Sequence, residues 1–172
     1  INKYEPVFLN QFEVSITPPA AVVPPQGNPG SGNIMLEQVT RVSGLAIDQN
    51  PGEITQQYKF AKRYYAGAAP PRTGLDMEIE FEVNLDDNNS MYVFKVLRQW
   101  SDLIYNPLTG AMGMKKDYTG DILINVFNKG GEVFRKIKLR DCFPMTPITE
   151  MPLNYTQMSI YKLSLTWAVD WF

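Results

Sequence analysis

Hydrophobic and polar positions alternate with a period of two through much of the chain. Phe12, Val14 and Ile16 interleave with Glu13, Ser15 and Thr17, the spacing of a half-buried strand. Leu75, Met77, Ile79, Phe81 and Val83 interleave with Asp76, Glu78, Glu80 and Glu82. Side chains two apart on a strand share a face, so these four carboxylates form a ladder opposite an apolar row, and that face reads as strongly acidic. The last such run places Tyr161, Leu163, Leu165, Trp167, Val169 and Trp171 on one face against Lys162, Ser164, Thr166 and Asp170 on the other. Asp121 to Phe127 and Val133 to Leu139 flank the turn Asn128-Lys129-Gly130-Gly131 and read as a hairpin.

The period changes once. Val93, Val96, Leu97, Trp100, Leu103 and Ile104 fall at helical spacing behind Asn88, Asn89 and Ser90 as caps, and Pro107 stops the run, which predicts one amphipathic helix over about 88–105. Two strand-like stretches, Met35 through Val39 to Ile47 and Ile54 through Tyr58 to Phe60, flank the turn signal of residues 48–52 and predict a long hairpin or arm. Residues 18–32 hold five prolines and three glycines, a surface loop or arm without ladder donors. Residues 106–120, with Gly110, Gly113 and Gly120, read as a flexible loop in which no helix pattern follows Lys116. The predicted fold is mainly β: an antiparallel sandwich or partial barrel over 1–172, with the helix on its side or rim.

A chain of 172 residues corresponds to one domain with a sizeable core. Its 44% hydrophobic and 20% charged residues exclude wholesale disorder. Sixteen basic against eighteen acidic residues leave a net charge of −2, without the basic excess of a generic nucleic-acid binder. The chain has no histidine, which excludes Ser-His-Asp and Cys-His catalysis and His-ligated metal sites within it. A lone cysteine, Cys142 between Leu139 and Phe143, allows no intrachain disulfide or thiolate-cluster zinc site and reads as a small buried hydrophobe. No apolar run reaches the ~18 residues that span a bilayer, and Lys3 and Glu5 do not suit a signal peptide, so a soluble protein made in the cytosol is expected.

Candidate chemistry is sparse. The glycines and lysines of Gly110 to Lys116 lack the following helix that a phosphate cradle needs. Glu78, Glu80 and Glu82 have the separation of a glycosidase acid pair but stand in one row on one strand. A plain solvated face and a functional acidic surface are the alternatives. Phe60, Tyr64 and Tyr65 beside Lys59, Lys62 and Arg63 fit single-strand nucleic-acid stacking or an arm reaching a neighbouring subunit. Extended arms that cannot all pack on a core of this size favour self-assembly over catalysis.

The ordered set Phe12–Ile16, Val42-Ser43-Gly44-Leu45, a helix with Phe94 and Trp100, Asp121–Ile124, Asn128–Gly131, Cys142-Phe143-Pro144 and Leu163–Trp171 resembles the tail tube proteins of contractile bacteriophages. That family includes the inner tube proteins of pyocins and contractile injection systems. The likeness runs from about residue 12 to 171, with 18–32 and 106–120 as insertions.

The resemblance implies a virion protein without enzymatic activity or cofactors. Hexameric rings stack into a hollow tube, assembled in the host cytoplasm, and each subunit gives strands to a barrel around the lumen. Implied partners are tail sheath and baseplate proteins, with the tape measure protein and transiting DNA inside. The arm with Ile47, Ile54, Tyr58, Phe60 and Tyr64 then becomes an inter-subunit or inter-ring contact, and Glu78, Glu80 and Glu82 a lumen face that repels phosphate. The same fold also serves as a tube initiator or baseplate protein, or as the inner tube of an injection or type VI secretion machine. From other classes, a monomeric ligand-binding β-barrel and an acid-pair glycosidase remain as alternatives.

Overall fold

A computed structural model describes residues 4, 6–22, 38–45, 53–67, 75–85 and 91–170. In chain order its elements are β1 (Phe12–Thr17), β2 (Val39–Ser43), β3 (Glu53–Gln57), β4 (Lys62–Ala66), β5 (Leu75–Glu82), α1 (Tyr92–Ile104), α2 (Lys115–Tyr118), β6 (Gly120–Phe127), β7 (Val133–Pro144) and β8 (Lys162–Val169). Six strands join in the order β1-β6-β7-β8-β5-β2, and β3 and β4 form a separate ribbon. Every pairing is antiparallel.

The long strand β7 holds the architecture together. Its first part runs beside β6, with Ile122 opposite Leu139 and then Gly120 opposite Cys142, so two steps on β6 face three on β7. The extra residue is a β-bulge, which bends a strand and increases its twist. Asp141 within it has φ 55°, the one non-glycine residue with positive φ among the described residues. Asp tolerates this left-handed conformation better than most residues. Beyond the bulge β7 changes partner, and Phe143 and Pro144 pair with Ala168 and Trp167 of β8. One half-sheet (β1, β6, β7) thereby passes into the other (β8, β5, β2).

Both halves turn apolar rows onto one core. Val14 and Ile16 of β1, Ile122 and Ile124 of β6, Leu139 and Cys142 of β7, Met77, Ile79 and Phe81 of β5, and Leu163, Leu165, Trp167 and Val169 of β8 are all buried there. Helix α1 adds Tyr92, Val93, Val96, Leu97 and Trp100. The Trp100 and Trp167 rings meet edge to face at 5.1 Å, a favoured aromatic geometry. The Trp100 indole Nε1 donates to the Tyr118 carbonyl at 2.6 Å, anchoring α2 to α1. Gly120 lets the chain pass over this indole, since a Cβ there would lie 2.4 Å from the Thr17 carbonyl oxygen and 2.8 Å from Trp100 ring carbons.

The alternating stretches at 12–17, 75–82 and 162–169 form the predicted strands, with the predicted faces inward. Other expectations need correction. β3 does not pair back onto the residues around Val39. It pairs with β4, while β2 pairs with β5. Alternation extends Ile54-Gln56-Tyr58-Phe60 as one strand, but the chain reverses at Tyr58, whose N–H donates to the Ala61 carbonyl at 2.7 Å. The two pairings are nested in sequence, and the inner one reverses at 58–61 rather than 48–52; residues 46–52 and 68–74 lie outside those described. The helix occupies 92–104, with Tyr105 already extended, and its expected caps at 88–90 also lie outside the described residues.

The 106–120 segment is more structured than its glycines suggest. Tyr105 bridges to Met112, and α2 supplies one helical turn. β7 runs on to Pro144 instead of ending at Leu139, because the bulge carries it past the irregularity. The Pro-rich segment is not wholly on the surface: Val22 donates its N–H to the Pro19 carbonyl at 3.0 Å, and this turn tucks Val22 into the core. Cys142 and Trp167 are buried as read, whereas Trp171 lies outside the described residues.

Gly120→Ala is expected to lower stability by about 2 kcal/mol or more, because backbone and a packed indole must both move. Urea unfolding followed by tryptophan fluorescence measures this, and an unchanged midpoint would show that the Gly120 contact is not limiting.

Candidate functional site

The two features singled out by sequence stand on opposite ends of the nested hairpin. At its tip, the β3–β4 ribbon places Ile54 opposite Tyr65 and Thr55 opposite Tyr64. Ile54, Tyr58, Phe60, Tyr64 and Tyr65 are all exposed, Phe60 to 91%. Local contacts give the ribbon its order: Tyr58 Oη donates to Gln56 Oε1 at 2.8 Å. Lys59, Lys62 and Arg63 lie over the rings of Phe60, Tyr64 and Tyr58 at 5.5, 5.2 and 5.7 Å. Exposed cation–π contacts of this kind contribute about 0.5–1 kcal/mol each. An isolated two-stranded ribbon is marginal in water at best, and among the described residues β3 and β4 pair only with each other. Ile47, the remaining arm residue, lies outside the described residues.

At the base of the hairpin, β5 sits between β2 and β8. Met77, Ile79 and Phe81 point into the core, leaving Asp76, Glu78, Glu80 and Glu82 on the outer face. The face is less acidic than the strand alone suggests, because neighbouring strands interleave other groups. Glu80 stands opposite Arg41 on β2 and Ser164 on β8, and Glu82 opposite Lys162. Thr40 Oγ1 donates to Glu80 Oε1 at 2.9 Å, Lys162 Nζ donates to the same oxygen at 3.2 Å, and Ser164 Oγ donates to Glu78. The Thr40 hydroxyl, followed by Lys162, holds the Glu80 carboxyl below its ordinary value of 4.5. These contacts tie down Glu78 and Glu80 within the charged row.

Two shallow grooves of about 160 and 170 Å³ occur among the described residues, one around Phe8, Phe127 and Phe134 and the other around Arg98, Tyr105 and Ile148. Glu78, Glu80 and Glu82 line neither. Burial, reinforced by Asp121 and Asp141, pushes the Cys142 thiol up to about 12, so it is held as an inert thiol. Among the described residues no group of three or more Asp, Glu or Cys side chains is placed to hold a metal ion. No described helix is long and apolar enough to cross a membrane.

Sequence reading passed over one surface. Residues 145–160, between β7 and β8, expose Met145, Met151, Leu153, Tyr155, Met158 and Ile160. The signal available in sequence is that a single residue there, Glu150, is charged.

The family profile described as phage tail tube protein matches residues 7–171. The chain belongs to that family. As a tail tube protein it is a structural component of a phage-type tail, and its solved neighbours have the same fold. Over 98% of this chain and 90% of the other, it superposes with TM-score 0.55 and 17% identity on a chain of an extracellular contractile injection system, the PVC sheath–tube complex in its extended state. The tube-terminating cap of the anti-feeding prophage matches with TM-score 0.62 and 18% identity, covering 99% of this tail tube protein and 91% of the cap chain. A PVC sheath/tube terminator in its extended state matches at 0.57 and 17%, over 98% and 95% of the two chains. No curated protein sequence gives a significant match to this tail tube protein.

The hydrogen bonds of Glu80 give its pH response a definite sign. Glu80 is the stronger acid when folded, so its stabilisation is complete above the unfolded pKa and is lost as pH falls through the folded one. Glu80→Gln is therefore expected to lower the urea midpoint at neutral pH, by less than about 1 kcal/mol for a screened surface pair. The difference should vanish below the folded pKa. A loss that persists in acid would assign the effect to packing instead of charge.

Proposed function

We propose that this chain is the repeating subunit of a hollow tail tube, in which rings of six copies stack head to tail inside a sheath and conduct DNA to the host. The family match over residues 7–171 carries this reading. Two structural features support it. Among the described residues the six-stranded sheet ends on β1 and β2, each paired on one side, and closing such edges against neighbouring copies removes unpaired backbone from water. The exposed ribbon tip likewise calls for a neighbour, so Ile47, Ile54, Tyr58, Phe60 and Tyr64 are assigned to the contact with the next subunit or ring. Head-to-tail contact of identical rings does not close and so grows a filament.

In this reading Glu78, Glu80 and Glu82 face the lumen, where fixed carboxylates repel phosphate and keep DNA from adhering. The tape measure protein shares the lumen before DNA passes, a sheath surrounds the tube and a baseplate starts it. Assembly occurs in the host cytoplasm, the protein ends in the virion tail, and it has no catalytic role. A second reading is a tube terminator, favoured by the higher TM-score of 0.62 to a tube-terminating cap than of 0.55 to the sheath–tube chain.

Negative-stain electron microscopy with mass photometry tests both. Hollow six-fold rings that stack into tubes are expected; rings that never stack would favour the terminator, and a monomer at every concentration would reject both. The triple variant Glu78→Lys, Glu80→Lys, Glu82→Lys is expected to assemble normally but to slow DNA ejection from reconstituted particles. Unchanged ejection kinetics would remove the lumen assignment.

A further inference from the structure

The connection between β7 and β8 is anchored at both ends and bare in the middle. Met145 donates its N–H to the Thr166 carbonyl at 2.8 Å, and Thr166 donates its own to Thr146 Oγ1 at 2.8 Å. Tyr161 Oη reaches the Thr149 carbonyl at 3.1 Å, while its carbonyl accepts from the Val83 N–H at 3.0 Å. Glu150, the only charge from 145 to 160, is held by Arg98 at 3.6 Å. Between these ties the chain holds no helix or strand, and its one internal feature is a turn in which Asn154 Oδ1 accepts from the Thr156 N–H at 3.0 Å. A structureless connection of this length is uncommon in a compact domain unless it has a role.

Its large apolar side chains stand in water. Leu153 is 87% exposed, and Tyr155 and Met158 are exposed as fully as in an extended peptide. Together with Met145, Met151 and Ile160 they expose on the order of 800 Å² of side-chain surface along the strap, about one partner's share of a standard interface. The chemistry also selects the kind of partner. Contacts that form and release are no more apolar than the rest of a protein surface, whereas permanent homo-oligomer interfaces resemble a core cut in half. A strap with one charge, already ion-paired to Arg98 within its own subunit, belongs to the second class.

We infer that the 145–160 strap is a permanent subunit interface, and that its occupant is a second copy of this chain. The inference rests on the tube reading and adds a contact separate from the ribbon tip. In the assembled state Leu153, Tyr155 and Met158 lie in a dry interface; in a free subunit they stand in water.

The test combines the triple variant Leu153→Asp, Tyr155→Asp, Met158→Asp with a probe on the otherwise intact chain. Since these side chains contribute nothing to the subunit's own core, the variant is expected to keep the wild-type circular dichroism and melting temperature. Its assembly threshold, read by mass photometry, should rise by about tenfold or more. Met158→Cys, labelled with an environment-sensitive dye while Cys142 stays buried, should shift to the blue as rings form. A variant that assembles like wild type, or a dye that remains in water within assembled rings, would overturn the strap interface and leave the tube reading standing. A blue shift only when a sheath-type protein is added would assign the strap to that partner and overturn the self-contact. A wild-type chain that stays monomeric at every concentration would overturn the tube reading, and this inference with it.

Discussion

Six strands and a helix can share a single core here because β7 leaves one set of partners for another. The bulge at Asp141 makes that possible: it absorbs one residue, turns the strand, and delivers Phe143 and Pro144 to β8. On either side of the turn the apolar rows of two half-sheets face the same interior, and α1 fills it with Trp100 against Trp167. Gly120 is the necessary complement, since β6 must enter the sheet across the face of the Trp100 indole. Remove the change of partner and the core separates into two surfaces, each too small to stand against chain entropy.

Local rules made the elements of this fold legible and left their partnerships open. The period-two rows of β5 and β8 and the helical spacing from Val93 to Ile104 depend only on which side faces the interior, so they can be read from one segment at a time. Pairing depends on two segments at once. The alternation through Tyr58 and Phe60 therefore predicted a longer strand than exists, since no proline or glycine marks the reversal there. The Asp141 bulge was equally silent, and it concealed the last five residues of β7.

The same distinction governs the surfaces. The carboxylates of β5 were evident as a row, but the charge of that face depends on Arg41 and Lys162, which only the neighbouring strands bring beside it. The ribbon tip was recognisable from its aromatic and cationic residues. By contrast, the strap at 145–160 has no period and no motif, and what identifies it is exposure, a property the fold alone supplies.

The nested hairpin has a consequence for how such proteins diversify. Its tip makes its contacts within itself, while its base is locked into the sheet through β2 and β5. Residues inserted within β3 and β4 lengthen the ribbon without disturbing the core, but strand parity restricts them. Paired insertions of two between the Ile54–Tyr65 pair and the turn keep the turn's side chains on the same side relative to that pair, whereas insertions of one turn that side over. The ribbon can therefore lengthen in steps of about 7 Å.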